Sequence, residues 1–264
     1  MKNLQLLDEL VAEGTNVVTP PLVQARTGQS PQAAVNMLTR LVDAGLLDRV
    51  ARGRYVVRPI GLLGTSAAAE DIALAVGALF ADKPHRIAYR SALDYQGLLT
   101  HPARTIQVVS RTRMKISSIS GRPLRVLLEK GETISIGATR VGHAWVSDVE
   151  RALLDAASRP ALVGGASVLA ESLVAASPDP EQLLSYGRRL GANAAIRRIG
   201  SLADQLRIEG LADLLQPLAP PKSDIDLDAI GPKSVSRPVV WHDRDWFVRW
   251  HLSVDEMTSA PSRK

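Results

Sequence analysis

The chain has 264 residues, 45% of them hydrophobic and 22% charged, with no cysteine and a formal net charge of +5 at pH 7. That balance describes a folded globular protein long enough for two modest domains, each with its own core, and excludes a disordered chain. The lack of cysteine excludes a disulfide framework, a thiol nucleophile and a thiolate zinc site.

No run approaches the roughly 20 apolar residues of a membrane span; ALVGGASVLAESL meets Glu171 after ten residues. The start, MKNLQLLDELVAEG, has acids at positions 8, 9 and 13, where a signal peptide carries an unbroken apolar stretch. A cytoplasmic location is expected. The charge is unevenly spread: residues 1–60 carry +2, residues 85–130 carry +7, and the remainder carries −4. A basic middle of this kind fits a polyanionic partner.

In chain order, Leu4, Leu7, Leu10 and Val11 recur at helical spacing between residues 2 and 13, and Gly14 supplies a stop. Thr19 then caps a second helix that opens on two prolines and ends at Gly28, with Leu22, Val23 and Ala25 inward. Ser30 caps a third helix with Pro31 in its first turn; Val35, Leu38, Leu41 and Val42 form its apolar stripe and Gly45 ends it. Gln32, Asn36, Arg40 and Asp43 stack in one row on the opposite face. LLDRVARGRYVVRP reads as a hairpin turning at Arg52 and Gly53, the glycine supplying a positive φ. Met37 and Tyr55 fill the core between the third helix and this hairpin.

Three helices, the second and third joined by a brief turn, then a hairpin with a basic tip: this is the order of a winged helix-turn-helix. In that fold the third helix enters the major groove, with Gln32, Asn36 and Arg40 near base edges or phosphates, while Arg52 and Arg54 of the wing touch backbone or minor groove. The competing reading is a protein–protein module of the same fold whose arginines are only solvated.

A boundary near residue 62 divides a DNA-binding domain, 1–62, from a larger domain, 63–255, with 256–264 as a frayed tail. Ala67 to Leu79 reads as a helix, ADKPHR as a loop, and RIAYRSALDYQGLL as a short helix with Ser91 as its cap, Ala92, Leu93 and Leu98 inward and Gly97 near its end. TIQVVS, PLRVLLEK, TISIGATRVG and HAWVSD read as strands. Arg111, Arg113 and Lys115 alternate, so in a strand all three project from one face. That ridge is a candidate second basic patch, for phosphate or an acidic partner, or else a guarded strand edge.

SDVERALLDAA places Ser147 and Glu150 at capping-box spacing, and VLAESLVAA, PEQLLSYGRRLG, AAIRRIGSLADQL and LADLLQPL follow as amphipathic helices. Residues 217–238 read as a surface strap, and Trp241, Trp246, Phe247 and Trp250 as an aromatic cluster. The expected fold class is therefore α+β: an N-terminal winged helix-turn-helix, then a larger mixed domain that becomes mostly helical toward its C-terminal part.

Catalytic motifs are missing. The histidines at 85, 101, 143, 242 and 251 never pair at four-residue spacing, VGGAS lacks the Gly-Lys-Ser/Thr of a P-loop, and there is no dinucleotide fingerprint. SDIDLD alternates its aspartates without the glycine and glutamate of a calcium loop, and HDRDW has no nucleophile beside it. No enzyme activity, cofactor or metal is expected.

Several stretches together carry a family likeness: RVARGRYVVRP, YRSALDYQGLL, RTIQVVSRTRMK, WVSDVERALLDAASRPALVGGASVLAESL and LLSYGRRLGANAAIRRIGSLADQL. In this order they resemble the AbiEi-type antitoxins and transcriptional regulators, the last two being the most specific. WFVRWHLSVD also looks like the end of that family, although its upstream Leu-Asp-Pro triplet is absent here. The resemblance implies a bacterial, cytoplasmic, non-enzymatic antitoxin that neutralises a nucleotidyltransferase-like toxin and represses its own operon. It implies DNA contacts from Gln32, Asn36 and Arg40 and from Arg49, Arg52 and Arg54 of the wing, with Arg111, Arg113 and Lys115 as a weaker patch. The implied partners are double-stranded operator DNA and the toxin, with no membrane, for a monomer or weak dimer that cooperates on DNA. The alternative is a winged-helix regulator whose C-terminal domain senses a ligand or protein and has no toxin.

Overall fold

A computed structural model of the chain describes residues 2–58, 72–80, 83–119, 121–129, 131–208, 210–228 and 238–259. It opens with α1 (Lys2–Ala12), β1 (Val17–Val18), α2 (Pro20–Thr27), α3 (Pro31–Asp43), β2 (Leu47–Ala51) and β3 (Arg54–Val57). Thr19 Oγ1 accepts from the Leu22 N–H at 3.4 Å and Ser30 Oγ from the Ala33 N–H at 3.3 Å, so both helices start where a hydroxyl can satisfy a free donor. Gly28 ends α2 at φ 67°, a left-handed turn suited to glycine. The strands form an antiparallel sheet in the order β1-β3-β2.

The two faces of this small sheet have different neighbours. Leu47, Tyr55 and Val57 pack with Leu10, Val23, Met37, Leu38 and Leu41 of the helices. Val50 and Val56 belong instead to a core shared with α4 (Ile72–Phe80) and the strands that follow. The inward residues of α1 are Leu6, Leu7 and Leu10, while Leu4 and Val11 are exposed. Ala25 and Val35 are likewise exposed, and Ala34 and Met37 take the buried places on α3.

Residues 67–71 and the expected boundary near 62 lie outside the described residues. ADKPHR is only partly a connection, because His85 and Arg86 already belong to β4 (His85–Ile87). α5 (Tyr89–Tyr95) follows, then β5 (Ile106–Ser110), β6 (Ser118–Ile119), β7 (Arg122–Leu128), a 3-10 turn at Gly131–Ser135, β8 (Ala138–Val141) and β9 (Ala144–Ser147). They build a six-stranded sheet in the order β6-β7-β5-β4-β9-β8. The pairs β5/β7 and β4/β9 are parallel and the others antiparallel. TISIG is thus the end of that 3-10 turn followed by a further turn, and not the start of a strand. Ser91 is no cap: it is buried within α5, its Oγ donating to the Thr105 carbonyl and accepting from the Gln107 N–H.

The remaining helices are α6 (Val149–Ser158), α7 (Pro160–Val163), α8 (Ala166–Ala175), α9 (Pro180–Leu190), α10 (Asn193–Gln205), α11 (Leu211–Leu214) and α12 (Val254–Ser259). Because α12 includes residues 256–259 and buries Met257, that part of the expected frayed tail is helical. A third sheet, β10 (Ile225–Asp226), β12 (Val248–Trp250) and β11 (Trp241–Asp243), joins a short piece of the expected strap to the aromatic segment; residues 229–237 of the strap lie outside the described residues.

Two polar systems hold this larger part together. In the first, Asp155 of α6 accepts from Arg86 Nη1 at 2.6 Å and from Arg151 Nε at 2.9 Å. Glu129 accepts from Arg86 Nη2 at 3.0 Å and Arg151 Nη2 at 2.7 Å. The four charges balance. Burial alone would lower the Arg151 pKa, but Asp155 and Glu129 outweigh it and raise it. Ser147 joins this network through Arg86 and the Ile87 carbonyl. It is therefore not the cap of α6; Asp148 is, accepting from the Arg151 N–H at 2.9 Å. Glu150, the other half of the expected capping box, accepts from the Asp179 N–H at 2.9 Å.

The second system is one face of α10, Arg197, Gly200, Ser201 and Asp204. Arg197 donates to the carbonyls of Trp246, Phe247 and Ser223. Trp246 Nε1 donates to Asp204 Oδ2 at 2.8 Å, and Trp250 Nε1 to Ser201 Oγ at 2.9 Å. Ser201 Oγ in turn donates to Asp243 at 2.5 Å. Gly200 lies directly under the Trp246 ring. The expected aromatic cluster is thus a hairpin clasped by α10, with Trp241 and Trp250 edge to face at 5.4 Å.

Candidate nucleic-acid interface

α2 and α3 are joined by three residues, 28–30, of which Gly28 supplies the left-handed turn. Burial of Ala34, Met37, Leu38 and Leu41 on one side of α3 leaves Gln32, Asn36, Arg40 and Asp43 exposed on the other. Gln32 to Arg40 covers about 12 Å of helix axis at ~1.5 Å per residue. Gln32 Nε2 donates to Asn36 Oδ1 at 3.0 Å, so the two amides are held as neighbours with a further donor on Asn36 and an acceptor on Gln32. The row carries both polarities of hydrogen bond and one cation.

The hairpin turn is tight: Ala51 pairs with Arg54, and Arg52 and Gly53 form the two-residue loop, with Gly53 at φ 70°. Register slips between Arg49 and Ala51, a bulge at Val50. Arg49 and Arg52 are exposed. Arg54 differs. It shares a sheet face with Val56, toward α4, and its Nη1 donates to the Ala78 carbonyl at 2.7 Å. Alternation along β3 therefore commits it to the seam between the small sheet and α4.

The six arginines of residues 2–58 divide evenly. Arg26 forms a two-pronged pair with Glu13 at 2.8 and 2.5 Å, Arg58 pairs with Asp48 at 2.8 Å, and Arg54 holds Ala78. Arg40, Arg49 and Arg52 have no ion pair among the described residues. The three uncommitted arginines among these six lie on α3 and the hairpin.

Arg111, Arg113 and Lys115 are all exposed, but they lie in an unpaired connection and not in a strand. The chain there crosses from the end of β5 to β6 on the far side of β7, so no neighbouring strand is free to pair with it. Burial alternates only from Arg113 onward, where Met114 and Ile116 pack against the shared core; Thr112 is exposed. The three do not act as one ridge. Arg113 joins Arg125 and Arg159 around a shallow hollow, whereas Arg111 faces a cleft at the seam. Much of the basic middle is internal: Arg86 is fully buried, Arg90 donates to the carbonyls of Val163 and His101, and Arg122 to that of Ala103.

Among the described residues no three histidine or carboxylate side chains converge as a metal-binding group. His242 pairs with Asp224, and His251 with Asp226, which also holds Arg249. No helix among the described residues is long and apolar enough to cross a membrane.

No protein-family model matches the chain, and no curated protein matches it. Its structure is similar to the crystal structure of the RV2827C protein from Mycobacterium tuberculosis, with a TM-score of 0.61 at 19% sequence identity over 94% of this chain and 90% of that one. The likeness extends across nearly the whole chain and establishes a shared α+β fold.

Proposed function

We propose that this protein binds duplex DNA through α3 and the β2–β3 hairpin, and that it is the DNA-binding antitoxin of a bacterial toxin–antitoxin pair. The observation that carries the DNA reading is the distribution of the arginines: Arg40, Arg49 and Arg52 are uncommitted while Arg26, Arg54 and Arg58 are engaged. The three-residue turn between α2 and α3 and the β1-β3-β2 sheet support a winged helix-turn-helix. In this reading Gln32, Asn36 and Arg40 face the major groove, amides and guanidinium being suited to adenine and guanine edges, and Arg49 and Arg52 neutralise phosphates beside it. Arg54 holds the wing against α4.

The antitoxin half rests on the resemblance of the α6 and α10 motifs to the AbiEi type. Glu150, Arg151, Asp155, Arg197, Arg198 and Ser201 of these motifs pack inside the molecule, so they build the domain and leave neutralisation to its surface. Co-expression with the toxin encoded beside this gene tests it, using the full chain because Val50 and Val56 share a core with α4. Survival of the host with the wild-type protein, and of hosts carrying the Arg49→Ala/Arg52→Ala variant, is expected if neutralisation and DNA binding are separable. Growth arrest with a folded, soluble wild-type protein would rule out the antitoxin role while leaving DNA binding to its own assay.

A further inference from the structure

A cleft of about 900 Å³ lies at the seam between the N-terminal part and the six-stranded sheet, with Thr15 and Arg54 on one side and Lys83, Arg111, Arg140 and Trp145 on the other. Its volume is in the usual range for a site that takes one small molecule, about 300–1,000 Å³. The lining is strongly basic. Lys83 and Arg111 make no ion pair among the described residues, and Arg140 spends only Nε, on the Gly142 carbonyl at 3.0 Å. Glu13, a carboxylate in the wall, is already taken by both terminal nitrogens of Arg26. Cations gathered in a concavity with protein walls attract anions more strongly than the same charges spread over a surface.

Two further features go beyond bare charge. Trp145 on β9 is 41% exposed and stands opposite Arg140 in the β8–β9 register, so an exposed indole neighbours a cation. His85 also lines the cleft and is 3% exposed. Its Nδ1 lies 2.8 Å from the Lys83 carbonyl and so carries the proton, which leaves Nε2 as a buried acceptor with no partner among the described residues. A phosphate matches the cations and a planar ring matches the indole.

We propose that this seam cleft binds a nucleotide, its phosphates held by Lys83, Arg111 and Arg140 and its base stacked on Trp145. The assignment does not depend on the DNA reading, since none of these residues lies on α3 or the β2–β3 hairpin.

The test titrates the full-length protein with GTP, ATP and tripolyphosphate, following tryptophan fluorescence and heat in parallel. Lys83, Arg140 and Trp145 are exposed, so their substitution leaves the core intact, and circular dichroism checks this. Saturable binding of a nucleoside triphosphate is expected, with at least about tenfold loss in Lys83→Ala/Arg140→Ala, the removal of two charge-assisted contacts. Trp145→Phe should abolish the quench and weaken the nucleotide but not tripolyphosphate, and Arg52→Ala should change neither. No saturable binding into the millimolar range, or equal binding by the cleft variants, would overturn the site. Tripolyphosphate binding as tightly as the nucleotides, with Trp145→Phe without effect, would overturn the nucleotide assignment and leave a plain anion hollow.

Discussion

Gly200 offers a test in which two effects of known size oppose each other. Glycine in the middle of a helix costs about 1 kcal/mol relative to alanine, so Gly200→Ala on α10 would be stabilising if propensity decided. A Cβ at that position, however, overlaps Cη2, Cζ2 and Cζ3 of the Trp246 ring. The ring cannot swing aside freely: it is 5% exposed, its Nε1 donates to Asp204 at 2.8 Å, and its carbonyl accepts from Arg197 at 2.8 Å. Overpacking costs about 1–3 kcal/mol, and a strained bond to a charged acceptor adds about 1 kcal/mol. The net expectation is a loss of roughly 1–3 kcal/mol, which lowers the melting temperature by about 2–12 °C in a chain of this size. In a Trp246→Ala background the overlap is gone and Gly200→Ala should instead stabilise by about 1 kcal/mol. Urea denaturation of the four proteins of the cycle measures this. The same effect of Gly200→Ala in both backgrounds would refute the claim that α10 clasps the tryptophan hairpin through this glycine.

Asp155→Asn should cost about 3–5 kcal/mol, because it leaves Arg86 and Arg151 buried with one carboxylate between them; a urea midpoint close to wild type would show that the network is dispensable. Glu13→Gln, which breaks the exposed pair with Arg26, should leave that midpoint nearly unchanged. Burial pushes the His85 pKa below the usual histidine range in the folded chain. The unfolded chain therefore binds the proton first, so stability is fully present above the unfolded value and falls as pH drops through it toward the folded value. Urea midpoints at about pH 7.5 and 5.5 should show this loss, and His85→Phe, which keeps a ring against Phe80, should remove that part of it. An unchanged pH slope in His85→Phe would contradict the assignment.

The N-terminal part was legible because its signals are local. Thr19 and Ser30 cap the helices they precede, two prolines and Gly28 punctuate α2, and Arg52-Gly53 permits only a tight turn. The inward face of α1 was not, since LQLLDELV offers two overlapping helical stripes and only tertiary packing selects Leu6 over Leu4 and Val11. Serines misled for a related reason. Ser91 and Ser147 satisfy the spacing rules for caps, but burial gives their hydroxyls partners distant in sequence, Thr105 and Arg86.

Alternation predicts a strand for Arg111, Arg113 and Lys115, and the burial pattern keeps it only from Arg113 to Ile116, without any strand. Pairing depends on a free neighbour, which a crossing connection lacks. Arginine counts were the least readable signal. A basic middle looks like a surface property, yet Arg86, Arg90 and Arg122 are spent on internal carbonyls and carboxylates. For the candidate interface, sequence placed the α3 row and the hairpin tip, but only the parity of β3 separates Arg54 from Arg49 and Arg52.

That separation can be read out on DNA. A labelled fragment from immediately upstream of the gene is titrated at several salt concentrations against a scrambled competitor, with wild type, Arg49→Ala/Arg52→Ala and Arg54→Ala. Each lost phosphate contact flattens the dependence of log K on log salt by about 0.9. Preference for the upstream fragment is expected, with a slope shallower by about 2 in the Arg49/Arg52 variant and an unchanged slope in Arg54→Ala. Folded wild-type protein with no preference for its own upstream DNA, or equal slopes for all three proteins, would contradict the proposed DNA binding.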